Sequence, residues 1–120
     1  MANMLIHIHS GPELENKLTL GLLVAKTGVE EGHSVKLFLA ADAVHALNCR
    51  ADGEIVGQGT GDANLHLQAL VAAGVQIMVS GMSAKARGYD DSLLAGYNAS
   101  FAMPDKLIAL AFEADTVLCY

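Results

Sequence analysis

Apolar residues in this chain fall into short continuous runs that are separated by longer segments with helical spacing. The runs at residues 4–9, 35–39 and 75–79 consist mainly of aliphatic and β-branched side chains, and they predict strands. Because these runs are apolar on both faces, they are typical of parallel strands that helices cover from both sides. Residues 116–119 predict a last strand, and residues 97–101 predict a further, weaker one.

The first helix is predicted to follow a turn at residues 10–13 and to end at Gly32. Pro12 suits the first helical turn, and the acidic Glu13 and Glu15 complement the positive helix end. Apolar side chains recur at helical spacing along this segment, at Leu14, Leu18, Leu22, Ala25 and Val29.

The middle of the chain predicts two further helices with a loop between them. Asp42 is expected to cap a short helix that runs to about Cys49, and Asp62 is expected to cap a second helix. Gly74 occupies the position of a helix C-terminal glycine. Residues 50–61 hold four glycines and predict a mobile loop.

The last third of the chain predicts two more helices. A short one begins at Asp90 or Asp91, and a longer one begins at Pro104 and runs to Glu113 or Ala114. Strands therefore alternate with helices throughout the sequence. This alternation predicts an α/β fold, a three-layer α/β/α sandwich on a mainly parallel sheet, built as a single domain over residues 1–120.

Composition and charge argue against several classes of function. The formal net charge of −6 argues against a general nucleic-acid surface, and no apolar run reaches the roughly 18 residues of a membrane span. The N-terminal segment lacks a basic stretch before a long apolar one, so we expect no secretory signal. Cys49 and Cys119 fit no metal or redox spacing, and we expect them to be free thiols in the cytoplasm.

The strand at residues 75–79 ends in Ser80-Gly81, with Ser83 three positions after Ser80 and Ala86-Arg87-Gly88 beyond it. In parallel α/β proteins, ligand-binding and catalytic residues lie mainly at the carboxyl ends of strands. This pattern resembles the DsrE/DsrF-like family of sulfur-relay proteins, and the resemblance extends through most of the chain. It includes the Gly-His turn at residues 32–33 and the Ala-Asp-Ala-Val segment at residues 41–44.

The resemblance implies a five-stranded sheet in the order 4-3-2-1-5, a role in intracellular sulfur transfer, and relay proteins as partners. In the family this strand typically ends in a cysteine, and some members have a second cysteine three residues later. Here the two positions are Ser80 and Ser83. Since persulfide chemistry needs a thiolate, we expect no persulfide transfer at this position. The chain would then act as a small-anion-binding or assembly subunit.

The candidate binding residues cluster around the same strand end: Ser80, Gly81, Met82, Ser83, Lys85, Arg87 and His9. Lys85 and Arg87 could bind an anion together with free backbone N–H groups of the turn. A solvated basic loop, with Arg87 paired to a nearby carboxylate, explains the same residues equally well. His9 should lie at the same edge of the sheet as Ser80.

His7 and His9 lie two residues apart on the first strand and therefore share one face. Such a pair can ligate zinc if a third ligand arrives from elsewhere, but no third ligand has a recognisable spacing. Two hydrogen-bonded histidines are the favoured interpretation, with no metal and no cofactor expected. Cys119 is interpreted as a core residue of the last strand.

Two alternative functions remain open. Ser80 could act as a hydrolase nucleophile if one of the five histidines supplied a base, although the sequence lacks the G-x-S-x-G elbow. Gly57, Gly59 and Gly61 could form a nucleotide- or phosphate-binding loop, although their spacing does not fit the dinucleotide pattern.

Oligomerisation is the last expectation from the sequence. Leu20, Leu23 and Val24 lie off the inward stripe of the first helix, and the chain has an apolar segment at residues 118–120. The family resemblance implies a homo-oligomer, either a trimer or a hexamer.

Overall fold

The structure is a computed structural model that describes residues 1–120. The strands are β1 (Asn3–Ile8), β2 (Ser34–Leu39), β3 (Val56–Gly57), β4 (Gly61–Asp62), β5 (Gln76–Ser80), β6 (Ala99–Ala102) and β7 (Thr116–Cys119). The α-helices are α1 (Glu15–Glu30), α2 (Ala63–Ala72), α3 (Gly81–Ala86) and α4 (Pro104–Glu113). Short 3₁₀ helices cover Pro12–Leu14, Ala41–Asn48 and Asp91–Leu94.

Five strands form one sheet in the order β6-β5-β2-β1-β7, and all neighbours are parallel. Counted within this sheet the order is 4-3-2-1-5, so the predicted fold class and strand order are confirmed. The weaker strand predicted at residues 97–101 is present as β6 on one edge, and β7 forms the other edge. The carboxyl ends of all five strands meet at one edge, where Ser80 ends β5.

Helices cover both faces of the sheet, but unequally. The larger core lies between the sheet and the α1–α2 layer, and its members include Ile6, Leu18, Leu37, Leu67 and Ile77. A smaller cluster beneath α4 consists of Leu5, Phe38, Met78 and Leu110. Because strand side chains alternate between faces, His7 and His9 share with Leu5 the face that α4 covers, here called the α4 face.

The loop predicted at residues 50–61 contains a β3–β4 hairpin that packs on α1. Thr60 Oγ1 lies 2.6 Å from Thr19 Oγ1, and Asn16 Oδ1 accepts a 2.7 Å hydrogen bond from the Gln58 backbone. A Cβ atom at Gly57 would lie 2.0 Å from both threonine hydroxyl oxygens, so the hairpin requires glycine there. Most of residues 50–61 are loop and turn as predicted, and strands of two residues are too short for alternation to reveal.

Two of the predicted helix caps have different outcomes. Asp62 caps α2 as expected, because its Oδ1 accepts hydrogen bonds from Asn64 N at 2.8 Å and Leu65 N at 3.2 Å. Asp42 does not cap a helix; it lies inside a 3₁₀ helix whose N-cap is Ala40. Its carboxylate is instead engaged by a residue 45 positions away, which a local pattern does not reveal.

The outer side of α4 carries two exposed apolar side chains one helical turn apart. Ile108 and Phe112 are 58% and 86% exposed, and on the neighbouring edge strand Val117 is 39% exposed. These three residues define the α4–β7 surface. None of the helices combines the length and the apolar character that a membrane crossing requires.

Candidate functional site

The carboxyl end of β5 is organised by two serine hydroxyls. Ser80 is half-buried and is the N-cap of α3, since its Oγ accepts a 3.2 Å hydrogen bond from Ser83 N. Ser83 Oγ in turn accepts a 2.9 Å hydrogen bond from Ala41 N. Ala41 has φ of 50°, a left-handed conformation that is uncommon for a residue other than glycine. The two serines therefore join β5, α3 and the segment after β2.

Arg87 extends this network. Its Nε and Nη2 donate to Asp42 Oδ1 at 3.1 and 2.9 Å, and its Nη1 donates to Ser83 O at 3.1 Å. The hydrogen bond from Arg87 lowers the pKa of Asp42 below its ordinary value. The interpretation of Arg87 as the partner of a nearby carboxylate is thus confirmed. Of the two basic residues predicted to bind an anion, the exposed Lys85 makes no ion pair in the structure.

We expect the Asp42–Arg87 pair to stabilise the protein at neutral pH and to lose its effect in acid. A carboxylate with a lowered pKa in the folded state adds stability above its unfolded pKa, here 3.8. That contribution disappears as the pH falls through the still lower folded value. Asp42→Asn should therefore lower the melting temperature at pH 7, by a margin that shrinks below about pH 4.

Thermal unfolding followed by circular dichroism at pH 7 and pH 3 measures this margin. Asp91→Asn is the matched control, because Asp91 is exposed and has neither an ion pair nor a side-chain hydrogen bond. Equal melting temperatures for Asp42→Asn and the wild type at pH 7 would contradict the expectation.

His9 lies at the predicted edge of the sheet, but β2 separates it from Ser80. In the register of the sheet, Val79 of β5 pairs with Leu39, and Leu39 pairs with Ile8. Neighbouring strands lie about 4.8 Å apart, so the backbones of His9 and Ser80 are separated by roughly 10 Å. The predicted site residues on α3 lie together, and His9 belongs to a different part of the same edge.

No histidine hydrogen-bonds to Ser80. His45 Nδ1 lies 2.6 Å from the Tyr89 hydroxyl, His66 Nε2 donates to Thr60 O at 2.8 Å, and His33 Nδ1 accepts from Ala2 N at 3.1 Å. His7 and His9 pack against each other, with ring centroids 4.8 Å apart. The geometry therefore gives Ser80 no base, and the hydrolase alternative gains no support from it.

The glycine motif is explained by the hairpin. Gly59 and Gly61 have φ of 79° and 87°, the left-handed values of a tight turn, and Gly57 is held by close packing. The hairpin joins β3 to β4 rather than a strand to a helix N-terminus in the dinucleotide arrangement. The nucleotide alternative likewise gains no support.

A second cluster lies at the same edge, on the α4 face. His7 pairs in register with Cys119 of β7, so the two side chains share a face with each other and with His9. The interpretation of Cys119 as a core residue was wrong: it is exposed, because β7 is an uncovered edge strand. The family strand order already places the last strand beside the first, and this signal could have revealed the proximity.

The groups of the second cluster differ in their surroundings. His7 is half-buried, and its Nε2 is shielded from solvent without a hydrogen-bond partner, an arrangement that costs about 1–3 kcal/mol. Burial, followed by the nearby His9, lowers the pKa of His7. The other cysteine, Cys49, is half-buried, and burial followed by the nearby Glu54 raises the pKa of its thiol.

The fold and these two clusters define an α/β sandwich protein with polar groups at the carboxyl edge of its sheet. Residues 2–120 match the DsrE/DsrF-like family, and the chain therefore belongs to that family. Among similar solved structures is the ychN protein from E. coli, with a TM-score of 0.77, 22% sequence identity and 100% of both chains covered. At this identity the similarity establishes the fold. No curated protein sequence matches the chain significantly.

Proposed function

We propose that the chain acts in sulfur relay as a binding or assembly subunit and carries no persulfide at the end of β5. The observation that carries this proposal is the side chain at that strand end. Ser80 presents a hydroxyl that caps α3, and Ser83 presents a hydroxyl that binds the backbone of Ala41. A persulfide is formed and passed on by a thiolate, which neither residue provides.

The ion pair of Arg87 supports assembly over anion binding. The guanidinium group already meets a carboxylate and a carbonyl oxygen, so an incoming anion would have to replace Asp42. Exposed apolar side chains lie beside the same turn: Met82 is 58% exposed and Met103 is 50% exposed. A Cβ atom at Gly81 would lie 3.7 Å from Met103 Sδ, which brings the start of α4 against the Ser80 turn.

Methionine side chains adapt to varied apolar partners, and exposed apolar patches mark protein contact sites. This turn therefore suits a protein neighbour, either a second copy of the chain or a relay protein. The same argument extends along α4 to the α4–β7 surface, which we propose as the main contact of a homotrimer or homohexamer.

The reduced protein should show no sulfur transfer when it is incubated with a sulfane-sulfur donor. Non-reducing mass spectrometry of peptides locates any added sulfur, and an acceptor thiol protein reports whether it is passed on. Sulfur that loads onto Cys49 or Cys119 and then reaches the acceptor would overturn the proposal. Sulfur that stays on an exposed thiol without reaching the acceptor is ordinary thiol oxidation chemistry and agrees with it.

A further inference from the structure

The second cluster brings three metal-binding groups together from distant parts of the sequence. His7 and Cys119 are direct partners in the β1–β7 ladder, and His9 follows on the same face of the sheet. One potential ligand atom from each of the three residues can be chosen so that all lie within 4.8 Å of one another. Both neighbouring backbones are fixed, because Tyr120 N donates to His7 O and His9 N donates to Tyr120 O, each at 2.9 Å.

The cluster combines a fixed group with two adaptable ones. The half-buried His7 ring packs edge-on against Phe38 at a centroid distance of 5.6 Å, and its shielded Nε2 has no partner. His9 and Cys119 are exposed, so their side chains can change rotamer without disturbing the core. A ligand that bonds to this cluster would thus meet a preset imidazole and two mobile donors.

We propose that His7, His9 and Cys119 form a binding site for a thiophilic divalent cation such as Zn²⁺. Zinc bonds of about 2.0–2.1 Å to nitrogen and about 2.3 Å to sulfur place tetrahedral ligand atoms roughly 3.3–3.6 Å apart. The donors therefore need to approach one another by about 1 Å, a shift within reach of exposed side chains. This site is independent of the role proposed for Ser80.

The donor set selects the class of ion. Two imidazoles and a thiolate suit zinc and related transition metals, whereas Mg²⁺ and Ca²⁺ require oxygen ligands that the cluster lacks. Binding replaces the S–H bond of Cys119 by a sulfur–metal bond and releases one proton to solvent, with no change of oxidation state. Three protein ligands leave a fourth tetrahedral position for water or an added anion, as in zinc sites that are not purely structural.

Cobalt titration of the reduced, chelator-treated full chain tests the proposal. Co²⁺ should bind at one equivalent per chain with intense tetrahedral visible bands and a thiolate-to-cobalt charge-transfer band, and Zn²⁺ should displace it. Cys119→Ser should abolish the charge-transfer band and weaken binding at least tenfold. His9→Ala should weaken binding to a similar degree while the thiolate band persists at higher cobalt concentration.

Cys49→Ser is the matched control, because it removes the other thiol and should leave the spectrum unchanged. The proposal is overturned if Cys119→Ser and His9→Ala bind cobalt as the wild type does, or if the thiolate band disappears in Cys49→Ser. Absence of any cobalt binding at micromolar concentration by folded wild-type protein would overturn it as well. Since both tested side chains are exposed, circular dichroism should show that all variants remain folded.

Discussion

Ser80→Cys should convert the β5 terminus from a site that holds no sulfur into one that loads up to one persulfide per chain. The test is cleanest in a chain that also carries Cys49→Ser and Cys119→Ser, because the new thiol is then the only one. Its thiolate would attack the outer sulfur of a persulfide donor, so that a new S–S bond forms, the donor's S–S bond breaks and the donor leaves as a thiolate. Mass spectrometry before and after cyanide treatment measures the added sulfur.

The structure gives two reasons why Ser80→Cys should gain the ability to load sulfur. Ser80 is half-buried at the start of α3, and cysteine at such a helix start has a lowered pKa and therefore more thiolate. The turn around it is held independently by the bonds from Arg87 to Asp42 and Ser83, so the site should survive the substitution. Loss of the serine cap should cost about 1 kcal/mol, which thermal unfolding would show.

Ser83→Cys in the same background is the matched control. It places a thiol three residues away, at a hydroxyl that accepts from Ala41 N and lies beyond the first position of the helix. We expect it to load less sulfur than Ser80→Cys does. A folded Ser80→Cys protein that loads no more sulfur than the parent without cysteines would show that the β5 terminus does not support the chemistry.

The sequence predicted the five strands of the main sheet and the longer helices, because the strands are continuous apolar runs and the helices carry helical periodicity. The strand order was predicted on another basis. It came from the family resemblance at Ser80-Gly81 and Ala86-Arg87-Gly88 rather than from a local sequence pattern. Sheet order depends on which strands meet in space, and a local pattern contains no such information.

The features that the sequence did not reveal depend on distant partners. Asp42 satisfies the rule for a helix cap, yet Arg87 binds its carboxylate across 45 residues. Cys119 satisfies the rule for a core residue, yet the edge position of β7 exposes it beside His7. In both cases the residue type shows which functional group is present, a carboxylate or a thiol. The tertiary structure decides which groups lie beside it.

Phe112→Asp should separate the protein into monomers, whereas the wild type should have the mass of a trimer or hexamer. Phe112 is 86% exposed on α4, and Ile108 lies one helical turn before it with 58% exposure. The sequence expectation of assembly rested on Leu20, Leu23 and Val24 of α1 and on residues 118–120, among which Leu20 is 39% and Leu118 is 36% exposed. Ile108 and Phe112 are more exposed than either of these two residues, so we propose the main contact at the α4–β7 surface.

Charge placed at the centre of an apolar contact removes favourable burial and leaves a desolvated carboxylate. Loss of one central aromatic anchor typically costs 2 kcal/mol or more, about 30-fold in the dissociation constant of each contact. In a closed ring every subunit carries the change, so the effects at successive interfaces combine. The folded subunit should keep its stability, since an exposed Phe112 contributes little to the core.

Leu65→Asp is the matched control, because Leu65 is 54% exposed on α2, a helix in the layer on the other face of the sheet. Light scattering behind a sizing column should give the wild-type mass for Leu65→Asp and the monomer mass for Phe112→Asp. A wild-type monomer at high protein concentration would refute assembly altogether. Dissociation by Leu65→Asp alone would place the contact on the α2 side. The Ser80 turn would then not lie in the subunit contact.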